Sequence, residues 1–442
     1  SIATRLCRLI AGPPKTPNPR NTRGVNRPFV ASFCAVNSQT VEDFGRRLSA
    51  CYFLMGRYPA ASGATRLLTE PTPELDDSRA TFGAIDVRLG QGADGWRDAW
   101  ARCGKAGLFG MITPRRYGGQ GTSITATIAA LEAVGRACRD NGFTLAINGQ
   151  IWAVQEPILT YGSEAQKDSY LRALSTGELV GAHGMTEVAS GSDAASLATT
   201  AEKRDGGYVL NGHKLYVGMA SVCDVAIVFA KTAPDAGAWG ISAFIVEKGD
   251  AGFQRGPDQD KMGLNSVPMG ELHLKDCWIP EDRLLGREGA GAAIFQSTMD
   301  WERSFIFASH VGSMARQLEE CTDFARGRVV FGKPIIEHQS VSNRLADMAV
   351  RLETSRLMLY RAAALKDAGE KAVRHAAMTK LHISEAFAAN SLDAIRIHGG
   401  AGYLAGSAPE TDLRDALGGV IYSGTSDVQR QIIARLLGTP GS

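Results

Sequence analysis

The sequence lacks most of the signatures that assign a chemistry at once. Its eight cysteines, Cys7, Cys34, Cys51, Cys103, Cys138, Cys223, Cys277 and Cys321, contain no CxxC pair. Neither a zinc ribbon nor a secreted disulfide framework is therefore encoded, and reduced thiols are expected. The eight histidines form no HExxH or similar helical pair, so a metal enzyme is not expected. No GxGxxG follows a strand and no Walker loop is present, so neither of the common nucleotide cradles is supported. Gly191-Ser192-Asp193 imitates part of a nucleophile elbow without its strand–turn–helix setting. Charge of one sign is not in excess: 48 basic residues face 46 acidic ones, which gives no electrostatic case for nucleic acid. No apolar run approaches the roughly 18–20 residues needed to span a bilayer.

What is present is an ordinary globular composition, 44% apolar and 21% charged over 442 residues. At roughly 150 residues per domain that length predicts about three domains. Residues 1–70 stand apart as a disordered or atypical extension. Arg5, Arg8, Lys15, Arg20, Arg23 and Arg27 precede the first acidic residue, Glu42, and prolines at 13, 14, 17, 19 and 28 forbid a continuous helix. The prolines spoil the amphipathic helix of an organelle transit segment, so a cytoplasmic location is expected, with an organelle matrix left open.

Residues 71–180 read as helical, with apolar residues at three- and four-residue steps over Ile124–Ala137, a segment from Trp96 to Leu108, and another over Ile151–Leu159. Ser163 with Gln166 forms a capping box. Over 181–288 the period changes: Val225–Ala230, Ile241–Val246 and Glu271–Leu274 read as short strands, and Asn211-Gly212 reads as a hairpin turn. A small β-barrel or sandwich is predicted there. From 289 to 442 long helices resume, at about 290–326, 338–367, 370–398 and from 425, which favours a bundle.

Glu302 falls in register with Phe295, Met299 and Ile306 on an apolar helical stripe. A carboxylate there is costly unless paired, and burial raises its pKa into the range of a general base. The competing reading is a structural ion pair with a buried arginine such as Arg303.

Six co-linear segments resemble the acyl-CoA dehydrogenase family. They are Met185–Asp193, Leu210–Lys214, Lys261–Gly263, Arg328–Gly332 with Pro334 and Gln339, Gly399–Tyr403, and Tyr422–Thr425. The resemblance implies an α+β multidomain fold: an N-terminal helical domain, a middle β-barrel and a C-terminal four-helix bundle. It implies FAD as cofactor and a homotetramer or homodimer. It places His183, Met185, Thr186, Ser192, Tyr216, Val217 and Gly218 against the isoalloxazine. Arg328, Phe331, His338, Gln339, Arg396, Gly399 and Gly400 would approach the dinucleotide of a neighbouring subunit, and Thr425 and Asp427 that of their own. A guanidinium fork at Arg328 suits a diphosphate.

The implied reaction removes an α-proton and a β-hydride from an acyl thioester, giving the 2,3-enoyl thioester. The implied substrate is carried on coenzyme A or an acyl carrier protein, and an electron-transfer flavoprotein is the usual acceptor. Ser192, Asp300, Arg303, Ser423 and Gly424 take the substrate-contact positions.

Departures from the family pattern sharpen the reading. The glutamate that usually precedes Gly-Thr is Ser423, too weak a base unassisted. The isovaleryl and long-chain branches place the base on the first helix of the bundle instead, at the position of Glu302. Tyr216 replaces a tryptophan, Gly218 a hydroxyl-bearing residue, Arg396 a glutamine and Asp427 a glutamate or glutamine. Loss of the glutamate at 423 together with glycine at 218 keeps open a monooxygenase or oxidase of the same fold, and a non-catalytic flavin-binding member is the third reading.

Overall fold

The computed structural model describes residues 73–85 and 92–438; the extension expected over 1–70 lies outside them. The chain then runs α1 (Pro73–Gly83), α2 (Gly92–Lys105), α3 (Ile124–Ala137), α4 (Asn141–Gly149), α5 (Glu156–Tyr161) and α6 (Glu164–Thr176). Ser123 caps α3 by accepting from the Ala126 N–H, and the Ser163–Gln166 capping box opens α6 as its spacing predicts. Trp96 and Trp100 stack at 4.8 Å, and both meet Phe143 edge-on. Leu108 leaves the α2 helix because Gly107, at φ 83°, turns the chain into a short 3-10 turn.

The helix expected over Ile151–Leu159 forms, within a helical run from Asn141 to Tyr161, but not with regular α geometry throughout. Gln150–Gln155 widens into a π turn before α5. The Gln150 amide donates to the Leu174 and Leu179 carbonyls and accepts from the Gly181 N–H, while Gln155 also donates to Leu174. Tertiary bonds override local propensity there and tie the helices to the first strand.

Eight strands follow: β1 (Gly181–Gly184), β2 (Thr200–Arg204), β3 (Gly207–Gly218), β4 (Val225–Lys231), β5 (Ile241–Glu247), β6 (Phe253–Arg255), β7 (Met269–Pro280) and β8 (Leu284–Leu285). Their order is β6-β7-β3-β2-β4-β5-β8, with β1 parallel to β4. Asn211-Gly212 is not the hairpin turn. That turn is Asp205-Gly206, both at positive φ as a type I′ turn requires. Asn211 and Gly212 lie inside β3 at a bulge, where a Cβ on Gly212 would stand 2.1 Å from Thr199 Oγ1. Glycine serves close strand approach at this point.

The helical C-terminal part comprises α7 (Gly291–Phe305), α8 (Ala308–Gly327), α9 (Gln339–Asp367), α10 (Val373–His398), α11 (Ala408–Gly419) and α12 (Ser426–Leu437). Helix α10 packs against α7, α8, α9, α11 and α12. The single helix expected over 290–326 breaks at Ile306-Phe307, where no glycine or proline signals it. Phe307 sits at φ −96°, ψ 9°, and its ring stacks on Tyr422 at 5.3 Å. Helix α8 also approaches α3 backbone to backbone. A Cβ on Gly135 would lie 1.8 Å from the Ser309 carbonyl, and one on Gly312 1.9 Å from that of Glu132. The helices before and after the sheet thus share one core.

Candidate active site

Glu302, near the end of α7, accepts a short hydrogen bond from the Ser423 hydroxyl, 121 residues away in sequence. Ser423 lies in the loop between α11 and α12 and can reach because its φ is 55°, with Gly424 following at 83°. Positive φ at a serine is a strained conformation that the surroundings must hold. The Gln429 amide does so, donating to the carbonyls of Ser423 and Gly424, and Thr425 caps α12 through the Val428 N–H. The two positions weighed for the base in the sequence, 302 and 423, are therefore in direct contact.

Burial pushes the Glu302 carboxyl above the ordinary carboxylate range; the Ser423 hydrogen bond and the charges of Arg303 and Lys380 work the other way. Those two cations are themselves buried. Arg303 is 8% exposed and its Nε has no hydrogen-bond partner. Lys380 is fully buried, its Nζ also unpartnered and 6.0 Å from the Phe307 ring centre. Burial pushes its pKa down to about 8. The Tyr422 hydroxyl, next to Ser423, is buried without a partner as well. Asp300, two residues before Glu302, is engaged by Lys366.

The second group of predicted residues surrounds the end of β1 and the bulged end of β3. Met185 and Thr186 continue from β1; the Thr186 carbonyl accepts from the Leu215 N–H at 2.8 Å. A fully buried ion pair braces this junction: Lys214 Nζ lies 2.6 Å from Glu187 Oε1, and Glu187 also accepts from Thr199 and Ala198. Burial pushes Lys214 down to about 8, and its bonds to Glu187 offset part of that. The same bonds hold Glu187 below its ordinary value against the opposing effect of burial. Both residues lie in segments that carry the resemblance, but their pairing escaped the sequence reading. Their signal was the alternation along β3, which turns Lys214 inward.

His183 packs its ring on Phe229 and Phe295, and burial, with the Lys214 charge, pushes its pKa down to about 4. Tyr216, at φ 54°, is 63% exposed, Val217 is buried, and Gly218 faces open space. Ser192 is exposed in the loop beyond Ser190.

The remaining residues sit elsewhere. A hairpin of β9 (Val329–Val330) and β10 (Lys333–Pro334) follows α8; it leaves Arg328 exposed and Phe331 94% exposed at φ 52°. His338 Nε2 bonds the Val330 carbonyl, and Gln339 is exposed at the start of α9. Arg396 shares Asp393 with Arg344 and Arg351, while Gly399 and Gly400 border open space. Asp427 is exposed and paired with Arg430. Of the candidates, the structure brings together the Glu302–Ser423 group and the β1–β3 group; the 328–339 hairpin rests on α8 and α9.

Three family profiles match in chain order: the acyl-CoA dehydrogenase N-terminal domain over 86–178, the middle domain over 182–277 and the C-terminal domain over 289–438. The chain belongs to the acyl-CoA dehydrogenase family. It is accordingly an FAD-dependent oxidoreductase acting on the CH–CH bond of an acyl thioester. An L-prolyl-[peptidyl-carrier protein] dehydrogenase from Pseudomonas fluorescens is 44% identical over 339 residues, 76% of this chain and 89% of the relative. The crystal structure of the prolyl acyl carrier protein oxidase AnaB is 38% identical with a TM-score of 0.81, covering 84% of this chain and all of that one. That of PigA with FAD and proline is 37% identical with a TM-score of 0.80, at 84% and 99% coverage.

The residues present fit a flavin dinucleotide. Tyr216 and Val188 present apolar surface to solvent of the kind that a ring system would cover. Gly218, Gly399 and Gly400 leave room for a close approach, and the buried Ser190 hydroxyl has no partner in the protein. Arg328 is exposed, and a guanidinium fork is of the shape that suits a diphosphate. Among the described residues no helix is long and apolar enough to cross a membrane.

Proposed function

We propose that this protein oxidises an L-prolyl thioester carried on a peptidyl carrier protein, with Glu302 as the base. The Glu302–Ser423 hydrogen bond carries the assignment of the base. The prolyl group and its carrier follow from the relatives that act on them.

Bound FAD would supply the acceptor for the β-hydrogen and its electron pair. The chain's own groups handle the α-proton. Ser423 occupies Glu302 Oε1, which leaves Oε2 to receive the proton. Partial desolvation keeps the carboxylate basic. The backbone N–H of Ser423 serves as donor to the thioester carbonyl, and the neighbouring charges of Arg303 and Lys380 favour the negative charge that develops there. Ser192, Asp300 and Gly424 line the path of the thioester arm. His183, Met185, Thr186, Tyr216, Val217 and Gly218 face the flavin ring, and Thr425 and Asp427 its dinucleotide. Arg328, Phe331, His338, Gln339, Arg396, Gly399 and Gly400 serve a neighbouring subunit in a homotetramer or homodimer. The exposure of Phe331 supports that reading. On this reading the domains lie at 71–180, 181–288 and 289–442, with a middle barrel and a C-terminal four-helix bundle; the profile ranges 86–178, 182–277 and 289–438 support the boundaries.

The experiment is anaerobic reduction of the FAD-loaded protein by L-prolyl carrier protein, L-prolyl-CoA and a series of acyl-CoA thioesters, in wild type and Glu302→Gln. Bleaching by the prolyl carrier protein alone, slowed in the variant, is the expected result. Bleaching only by fatty acyl-CoA would reject the prolyl reading and keep the base. A second reading concerns the electron acceptor. AnaB is described as an oxidase, and open space at Gly218 would admit oxygen. Reoxidation by oxygen rather than by an electron-transfer flavoprotein would favour it.

A further inference from the structure

Strands β3 and β7 pair antiparallel with His213 directly opposite His273. Side chains alternate, so Lys214, Leu272 and Leu274 turn into the core while His213, His273 and Glu271 share the outer face. The imidazoles stack at 4.2 Å, and both Nε2 atoms converge on one carboxylate oxygen. His213 Nε2 is 2.8 Å and His273 Nε2 3.3 Å from Glu271 Oε2. The other oxygen of Glu271 accepts from the Gln259 amide at 3.2 Å, which fixes the carboxylate plane. All three ligand atoms lie within 4.8 Å of one another.

We propose that His213, His273 and Glu271 form a binding site for a divalent first-row transition cation, best suited to zinc, with the remaining coordination position open to water. Four ligands at zinc distances of about 2.0–2.1 Å stand roughly 3.3 Å apart. The His273–Glu271 separation already has that value, and the His213–Glu271 one needs to open slightly. Two imidazoles and a carboxylate are donors this ion accepts. A carboxylate held from behind by an amide is the outer support that ligating groups use. The side chains are partly exposed, so the ion has an entry path. Linear spacing could not reveal the site, because His213 and Glu271 are 58 residues apart and meet only through the strand register. The cation would cross-link β3 to β7 just before the bulge that leads to Tyr216.

The test uses tag-free, FAD-loaded protein, stripped with EDTA and titrated with zinc chloride by calorimetry and with cobalt(II) by visible absorption. The expected result is one site for zinc, four-coordinate cobalt bands, and a Tm raised by zinc. In His213→Gln/His273→Gln the site and the Tm shift are lost, while flavin absorbance and the metal-free Tm stay as in wild type. Gln259→Ala weakens binding roughly 10–100-fold. Absence of binding in wild type overturns the proposal. So does equal binding in wild type and the double variant, which would place the metal on cysteines or other groups.

Discussion

Two buried ionic clusters in this protein have similar members and opposite bonding. At the β1–β3 junction Lys214 and Glu187 are both buried, and every oxygen of Glu187 is used, by Lys214, Thr199 and Ala198. Beside α7, Glu302 has Ser423, but Arg303 Nε, Lys380 Nζ and the Tyr422 hydroxyl have no partners. Burying a polar group without a hydrogen bond is costly, so proteins rarely do it for stability. The contrast fits two roles: the satisfied cluster braces a backbone junction, and the unsatisfied one is the cluster proposed to carry charge and donors for the reaction.

The strongest way to break that comparison is at Glu302. Glu302→Gln keeps the shape and the contact with Ser423 but removes the proposed base, so kcat for flavin reduction should fall by roughly 10²–10⁴. FAD loading and the unfolding midpoint should stay at wild-type values. A variant that reduces its flavin at the normal rate would move the base elsewhere.

The satisfied cluster should respond in the reverse sense. Lys214→Met leaves Glu187 buried without its cation, and losing one partner of a buried pair costs about 3–5 kcal/mol. Denaturant unfolding should show that loss, and flavin retention should drop with it because Thr186 and Leu215 are joined at the same junction. Unchanged stability would mean that the pair contributes nothing the packing does not already supply.

These two clusters also mark how far the sequence could be read. Glu302 was legible because Phe295, Met299 and Ile306 set it on an apolar stripe, and a family resemblance pointed to the same position. The helix–sheet–helix order was legible from the change of hydrophobic period. The Lys214–Glu187 pair was not, since its members lie 27 residues apart and meet only when β1 and β3 are placed. Asn211-Gly212 misled because a dipeptide signal is local, whereas Asp205-Gly206 took the turn and the strand ran on through a bulge. The break at Ile306-Phe307 has no local cause at all; Phe307 leaves the helix to stack on Tyr422. Lys380 falls in register with buried Ala376, Ala377, Ile383, Ser384 and Phe387, a pattern that was present and passed over because a helical lysine ordinarily reads as surface.

Ser423→Ala probes the link between the two halves of the reactive cluster. As the proposed base Glu302 acts in its carboxylate form, so the rate should fall as pH drops through its raised pKa. The Ser423 hydroxyl stabilises that carboxylate and opposes the shift. Removing a hydrogen bond to a charged group, about 1.5–3 kcal/mol, should raise the pKa further and move the acid limb of the kcat profile toward neutral pH. An acid limb that stays in place would show that the hydroxyl positions Glu302 without tuning it.

Lys380→Met gives the smallest effect and the sharpest form of the comparison, because the same substitution is made in both clusters. Lys380 is buried with no partner, and its folded pKa, about 8, lies below the ordinary 10.5. The folded state therefore disfavours the ammonium, and that penalty is present below pH 8 and fades as pH rises toward the ordinary value. Methionine fills a similar volume without the charge, so the variant should match wild type at pH 7 or exceed it by about 1 kcal/mol. The difference should shrink in alkaline buffer. Flavin reduction should nevertheless slow, since Glu302 loses a charge that lowers its pKa. A Lys380→Met protein that unfolds as readily as Lys214→Met would give Lys380 the bracing role of Lys214 and end the distinction between the two clusters.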